Sequence, residues 1–206
     1  MKTKRRRIVT ALVSCMVLLF TIGCSQPVVH QAPPPVQSSQ PPPPPAPEKT
    51  ASFPAFELPI PESEEGKTYL GLSGSGNFKI TQVKTEVLVI EAFSMYCPHC
   101  QKEAPHVNEL YRTIEARSDL KGKIKIIGIG VGNSAYEVKT FKEKYEVPFP
   151  IFPYKEMSAT KELGIMKTPT FIGVTINEDG THQDFYFKSG KMGDIDEFIT
   201  KMVDQR

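Results

Sequence analysis

Cys97-Pro98-His99-Cys100 is the pattern in this chain most able to do chemistry. Two cysteines three positions apart can close a small disulfide ring. They follow an apolar, β-branched run, Val87-Leu88-Val89-Ile90, that reads as a buried strand, and they open a stretch that reads as a helix start. A first cysteine at a helix N-terminus meets partial positive charge and free backbone N–H groups, both of which favour a thiolate. The thiolate is the species that attacks a disulfide, so this spacing supports thiol–disulfide exchange. Half of a zinc site is the rival reading, but a four-ligand site needs two further ligands. No cysteine follows Cys100, and His106 and His182 are not spaced as a ligand pair. Inert structural cysteines are a third reading, and the strand-turn-helix setting speaks against it.

The elements around the pair follow from periodicity and punctuation. Strands are predicted over 86–93 and 123–131, and a short extended piece over 148–152. A strand over 170–176, a tight turn at Asp179-Gly180 and a return strand over 182–188 read as a hairpin. Helices are predicted over 98–117, interrupted at Pro105, and over 134–145, 157–163 and 194–203. The glycine-spaced stretch 66–80 reads as short strands, a hairpin capping the sheet. About 140 residues are enough for one domain with a real core.

The whole run resembles the thioredoxin superfamily. Glu91 stands six positions before Cys97, where that family carries a buried acid, and Pro105 stands five after Cys100, where it carries a helix-kinking proline. Thr168-Pro169-Thr170-Phe171-Ile172 resembles the family's cis-proline loop and the strand that follows it. These motifs cover roughly 66–206, and Tyr96 departs from them where most members carry tryptophan. The resemblance implies an α/β, thioredoxin-like fold: a mixed central sheet flanked by helices. Cys100 to Pro169 is 69 residues, longer than in a bare thioredoxin. The excess falls where TlpA-like and ResA-like membrane-tethered proteins, and peroxiredoxins, insert a strand and a helix before the cis-proline loop. The active-site segment itself is similar to that of DsbA. The two analogies disagree about the direction of electron flow, and both directions stay open.

The resemblance also implies roles. Cys97 is the nucleophile and Cys100 the resolving thiol, the two forming the redox disulfide. Pro98 and His99 occupy the turn between them, where the His99 imidazole could donate to the Cys97 thiolate or place positive charge beside it. Glu91 would lie buried beneath the pair with a raised pKa and relay a proton to or from Cys100. Pro169 and Thr168 would face the substrate, pair with its backbone and keep metals off the thiols.

The N-terminus reads as a targeting segment. Lys2, Lys4, Arg5, Arg6 and Arg7 precede a 15-residue apolar stretch, 8–22, too short for a comfortable membrane span. Thr21-Ile22-Gly23-Cys24 resembles a bacterial lipoprotein signal, with Thr21 where leucine is usual. That reading makes 1–23 a signal peptide and Cys24 a lipidated first residue; ordinary secretory cleavage and an uncleaved anchor are the rivals. Ser25 points to outer-membrane sorting if the host is Gram-negative. Cys15 would leave with the signal and Cys24 be consumed by lipid, so only Cys97 and Cys100 would remain as thiols. Thirteen of the 19 prolines lie within 26–61, so 24–65 reads as a polyproline-rich tether ahead of a domain over 66–206. Fully extended it would reach on the order of 100 Å.

The formal charge of +2 includes the five basic residues of the signal; without them 20 Lys and Arg face 23 Asp and Glu, a balance of −3. No basic patch with interleaved aromatics appears, so nucleic acid is excluded as a partner. Thiol exchange needs no cofactor and no metal. The expectation is an extracytoplasmic thiol:disulfide oxidoreductase, lipid-anchored in a bacterial envelope. Its partners would be exported, cysteine-containing client proteins and a membrane or periplasmic redox protein. Two other classes use a similar scaffold. A Sco-like copper carrier needs C-x-x-x-C and a distal histidine. A peroxiredoxin-like peroxidase needs P-x-x-x-T-x-x-C, whereas Phe93-Ser94-Met95-Tyr96 precede Cys97 here.

Overall fold

In a computed structural model the described residues are 56–155 and 163–204, all within one compact unit, Pro47–Arg206. Cys24, the signal segment, most of the tether and most of the expected helix 157–163 lie outside the described residues.

A five-stranded sheet forms the centre. Its strands are β3 (Val87–Phe93), β4 (Ile124–Val131), β5 (Ile151–Tyr154), β6 (Thr170–Ile176) and β7 (His182–Ser189), in the order β5-β4-β3-β6-β7. β3 and β5 run parallel to β4, and β6 lies antiparallel to β3 and to β7, so the sheet is mixed. β3 is buried along its whole length, as a central strand covered on both faces must be. Its side chains alternate between two cores. Val87, Val89 and Phe93 pack with α2 (Pro98–Ala116), α3 (Ala135–Lys144) and α4 (Ile195–Val203). Leu88, Ile90 and Ala92 pack on the opposite face. Period two places Glu91 on the same side as Val89 and Phe93, which is the α2 side.

Two expectations need correction. The stretch 66–80 is not a pair of glycine-spaced strands. Its first part is helix α1 (Glu64–Leu70), started by Ser63, whose hydroxyl accepts from the Gly66 N–H at 3.2 Å, and ended by Gly71 at φ 70°. The glycine taken for a strand break is a left-handed helix cap. The folded part also begins earlier than 66. β1 (Glu57–Pro59) pairs antiparallel with β2 (Asn77–Lys79), and Leu58 and Phe78 are fully buried. Burying each of these side chains contributes about 1.5–3 kcal/mol, which outweighs a local preference for extended polyproline structure. Pro59 is tolerated because it sits in a short strand with a free edge. The remaining elements lie within a few residues of their sequence positions, and β5 is the extra strand expected between Cys100 and Pro169.

Candidate active site

β3 delivers the chain to the turn Ser94-Met95-Tyr96-Cys97, closed by the Cys97 N–H donating to the Ser94 carbonyl at 3.0 Å. Cys97 is then the N-cap of α2 and Pro98 its first residue. Proline is favoured there because the first helical N–H has no intrahelical acceptor to lose. The N–H groups of His99 and Cys100 are likewise free of helix partners and lie at the positive end of the helix.

Both cysteines are free thiols, Cys97 half-buried and Cys100 fully buried, and they approach to 3.4 Å. The protonated Cys97 thiol donates to the Thr168 carbonyl at 3.1 Å and does not cap the helix. Partial burial by itself raises the Cys97 pKa. The Thr168 hydroxyl, the backbone and thiol of Cys100 and the His99 N–H outweigh that and hold it below the ordinary thiol value. The same environment drives Cys100 the other way. Burial pushes its pKa up to about 12, and the adjacent Cys97 adds to the rise. Cys97 is therefore the thiol that ionises first, in an accessible position.

The peptide bond between Thr168 and Pro169 is cis. This loop is fixed from beneath by Thr170, whose hydroxyl donates to the Lys167 carbonyl at 2.6 Å and meets Ser189 Oγ at 2.9 Å. The Pro169 carbonyl accepts from the Gly190 N–H at 2.7 Å. Glu91 is 3% exposed, and one carboxyl oxygen, Oε1, has no hydrogen-bond partner among the described residues. Burial, with a smaller contribution from the charge of Glu103, raises its pKa to about 8.

Of the residues singled out in the sequence, Cys97, Cys100 and Thr168 are in mutual contact, with Pro169 adjoining and Glu91 on the α2 side of β3. Pro98 and His99 are exposed. The His99 backbone N–H favours the Cys97 thiolate. As the second residue of the helix, its side chain turns outward to solvent.

Four contributors were missed. Glu103 is buried on α2 and accepts from the Met192 N–H at 2.8 Å, tying the helix to the loop before α4. Its spacing from Cys100 reads as an ordinary helix-surface charge. Gln101 Nε2 donates to the Met95 carbonyl at 2.7 Å, and Asn133 Oδ1 accepts from the Met95 N–H at 2.8 Å. Glu137 accepts from the Tyr96 hydroxyl. Only Glu137 carried a local signal, because Ser134-x-x-Glu137 spells a capping box. Among the described residues no group of three or more His, Cys, Asp or Glu side chains is placed to hold a metal ion.

A dithiol at a helix start, facing a cis-proline loop at one end of the inner strands of a mixed α/β sheet, defines a thioredoxin-like protein. The chain belongs to the AhpC/TSA family, whose model matches residues 50–189. Among curated proteins it is similar to the thiol-disulfide oxidoreductase ResA of Halalkalibacterium halodurans, at 26% identity over 50% of this chain and 55% of that one. It is also similar to ResA of Bacillus cereus, at 26% identity over 57% of this chain and 69% of that one. The chain thus spans little more than half of the first of these relatives. Among solved structures, StoA from Bacillus subtilis shares the fold at a TM-score of 0.50 and 20% identity, covering 73% of this chain and 98% of that one. A putative thiol:disulfide interchange protein DsbE from Chlorobium tepidum does so at 0.53 and 16%, covering 74% and 94%.

Proposed function

We propose that this protein is a thiol:disulfide oxidoreductase that exchanges disulfides with exported client proteins through Cys97 and Cys100. The observation that carries the proposal is the opposite displacement of two adjacent thiols: Cys97 is lowered and half-exposed, Cys100 raised and buried. The relatives named ResA support the same reading.

In the reducing direction the Cys97 thiolate attacks one sulfur of a client disulfide. The Cys97–client bond forms, the client S–S bond breaks, and the other client sulfur leaves as a thiolate that takes up a proton. Cys100 then loses its proton and attacks Cys97 Sγ. The Cys97–Cys100 disulfide forms, and the second client sulfur leaves and is protonated. Two electrons pass to the client, and the protein is left oxidised. The oxidising direction is the reverse. Glu91, when ionised, is a proton acceptor for Cys100 on the α2 side of the sheet, and its raised pKa matches that task. Thr168 and Pro169 form the wall against which the client sulfur arrives. A membrane or periplasmic redox protein resets the pair.

The chain's start completes the proposal. Residues 1–23 are a signal peptide, Cys24 carries the lipid, and the tether runs from there to the residues just before β1. The domain thereby works on the extracytoplasmic side of the envelope, at the outer membrane in a Gram-negative host. The decisive experiment traps the intermediate. Cys100→Ser should accumulate mixed disulfides between Cys97 and client proteins, since the resolving thiol is gone. Clients attached through position 100 in Cys97→Ser, with none attached through 97, would reverse the assignment.

A further inference from the structure

The turn that carries Cys97 is held both by its own helix and from outside its own strand and helix. Met95 is gripped at both ends of its backbone: its N–H donates to Asn133 Oδ1 at 2.8 Å, and its carbonyl accepts from Gln101 Nε2 at 2.7 Å. Tyr96 follows, its hydroxyl donating to Glu137. Asn133 and Glu137 both belong to the β4–α3 junction, 38 and 41 residues away from their partners in sequence. That junction is itself fixed. The Asn133 N–H donates to the Gly130 carbonyl at 3.1 Å, and the Gly132 N–H to the Tyr154 carbonyl of β5 at 2.8 Å. The other Glu137 carboxylate oxygen accepts from the Ser134 N–H at 2.6 Å and its hydroxyl at 2.8 Å.

Asn133 is the informative member. It is fully buried, yet its Nδ2 has no hydrogen-bond partner among the described residues. A buried amide with an unused donor is costly, and an apolar side chain of similar shape avoids that cost. Flipping the amide would not help, because it would set a donor against the Met95 N–H. The side chain therefore serves its oxygen alone, as acceptor for one N–H of the active-site turn. Space for this approach comes from Gly130, where a Cβ would stand 2.7 Å from Val138 Cγ2 and 3.2 Å from Asn133 Cβ.

We propose that Asn133 and Glu137 are positioning residues for the nucleophile. From the β4–α3 junction they fix the 94–97 turn, so that Cys97 Sγ stays against Thr168 at the start of α2. The proposal rests on Cys97 being the exchanging thiol, but its test does not require a client. If the turn slackens, Sγ drifts from donors whose value depends on distance and angle, and the thiolate loses more than the thiol does.

The experiment uses the reduced full chain in detergent. Iodoacetamide modification of Cys97 is followed against pH and read by the mass of the peptide containing it. Asn133→Ala should raise the midpoint by about half a unit to one unit, which is about three- to tenfold less thiolate well below that midpoint. Tyr96→Phe should give a smaller rise, and adding it to Glu137→Ala, which also removes the capping box, should give no further rise, since the Tyr96–Glu137 bond is already gone. Glu137→Gln can keep its oxygen on the Ser134 N–H while its amide N–H donates to the Tyr96 hydroxyl, so its midpoint should lie closer to wild type than that of Glu137→Ala. Val83→Ala lowers stability in the opposite core without touching the turn, and its midpoint should equal that of wild type. A folded Asn133→Ala protein with the wild-type midpoint overturns the proposal, because a merely structural asparagine would change stability alone. Should Asn133→Ala fail to fold, an unchanged midpoint in Tyr96→Phe overturns it instead. Shifted midpoints in a protein that exchanges no client disulfide would uphold the positioning and refute the proposed function.

Discussion

Two chemically identical thiols one helical turn apart are made unequal by what surrounds each sulfur. Cys97 meets hydrogen-bond donors at a half-open position; Cys100 meets apolar core. Cys97→Ser should therefore abolish insulin reduction, since no other described thiol is placed to begin exchange. Thr168→Val keeps the shape beside Cys97 while removing the hydroxyl that favours its thiolate. It should raise the pH midpoint of Cys97 alkylation and slow exchange severalfold at neutral pH. His99→Ala leaves the backbone N–H in place and should shift that midpoint less than Thr168→Val does; a larger shift would give the imidazole the role first expected of it. Cys97, Cys100, Glu91, Thr168 and Pro169 were legible because each belongs to a short motif with fixed spacing. Asn133 and Glu103 were not. Their partners are 38 and 89 residues away, and no local pattern tells an asparagine that accepts a distant N–H from one that caps a turn.

At the scale of elements, strand β3 and helix α2 do the positioning, and both stood out in the sequence: β3 as an unbroken apolar run, α2 as the helix start that follows it. α3 was read from a serine cap that is indeed present. The failure came at 57–80, where proline and glycine content hid a two-stranded antiparallel pair and the helix between its strands. Those residues signal breaks, and here they mark an edge strand and a helix cap, a distinction that depends on what packs beneath. The consequence can be measured by truncation. A chain starting at residue 56 keeps β1 and should unfold cooperatively in urea near the full-length midpoint. One starting at residue 66 loses β1, the Ser63 cap and the burial of Leu58. It should be markedly less stable, with a loss of at least about 2–5 kcal/mol for the Leu58 side chain alone. Equal midpoints for the two would return the domain boundary to 66.

For the whole molecule, location and pH response are the properties that decide when the site can work. The Cys24 reading predicts that wild type sediments with membranes and that Cys24→Ala either appears in the soluble fraction or keeps its signal uncleaved; wild type among soluble periplasmic markers would end the lipoprotein reading. The pH response follows from Glu91. Its carboxyl is neutral in the folded protein up to a pKa of about 8, against 4.5 as its ordinary value. Between those two values the folded protein holds a proton that the unfolded chain has released. Stability from this residue is thus fully present below about pH 4.5 and lost as pH rises through about 8, the reverse of a surface carboxylate in an ion pair. Glu91→Gln is neutral at every pH and of nearly the same shape, so it lacks this slope. Urea midpoints of the reduced proteins at pH 5, 7 and 8.5 should converge at the acidic end. At the basic end the variant should be the more stable, by an amount on the order of a few kcal/mol. Exchange should respond in the opposite sense, because a neutral amide cannot take the Cys100 proton: Glu91→Gln should resolve mixed disulfides more slowly than wild type as pH rises toward 8. Parallel stability curves for the two proteins would mean that Glu91 is ionised in the fold near neutral pH, and would leave Cys100 without an acceptor of raised pKa on that side of the sheet.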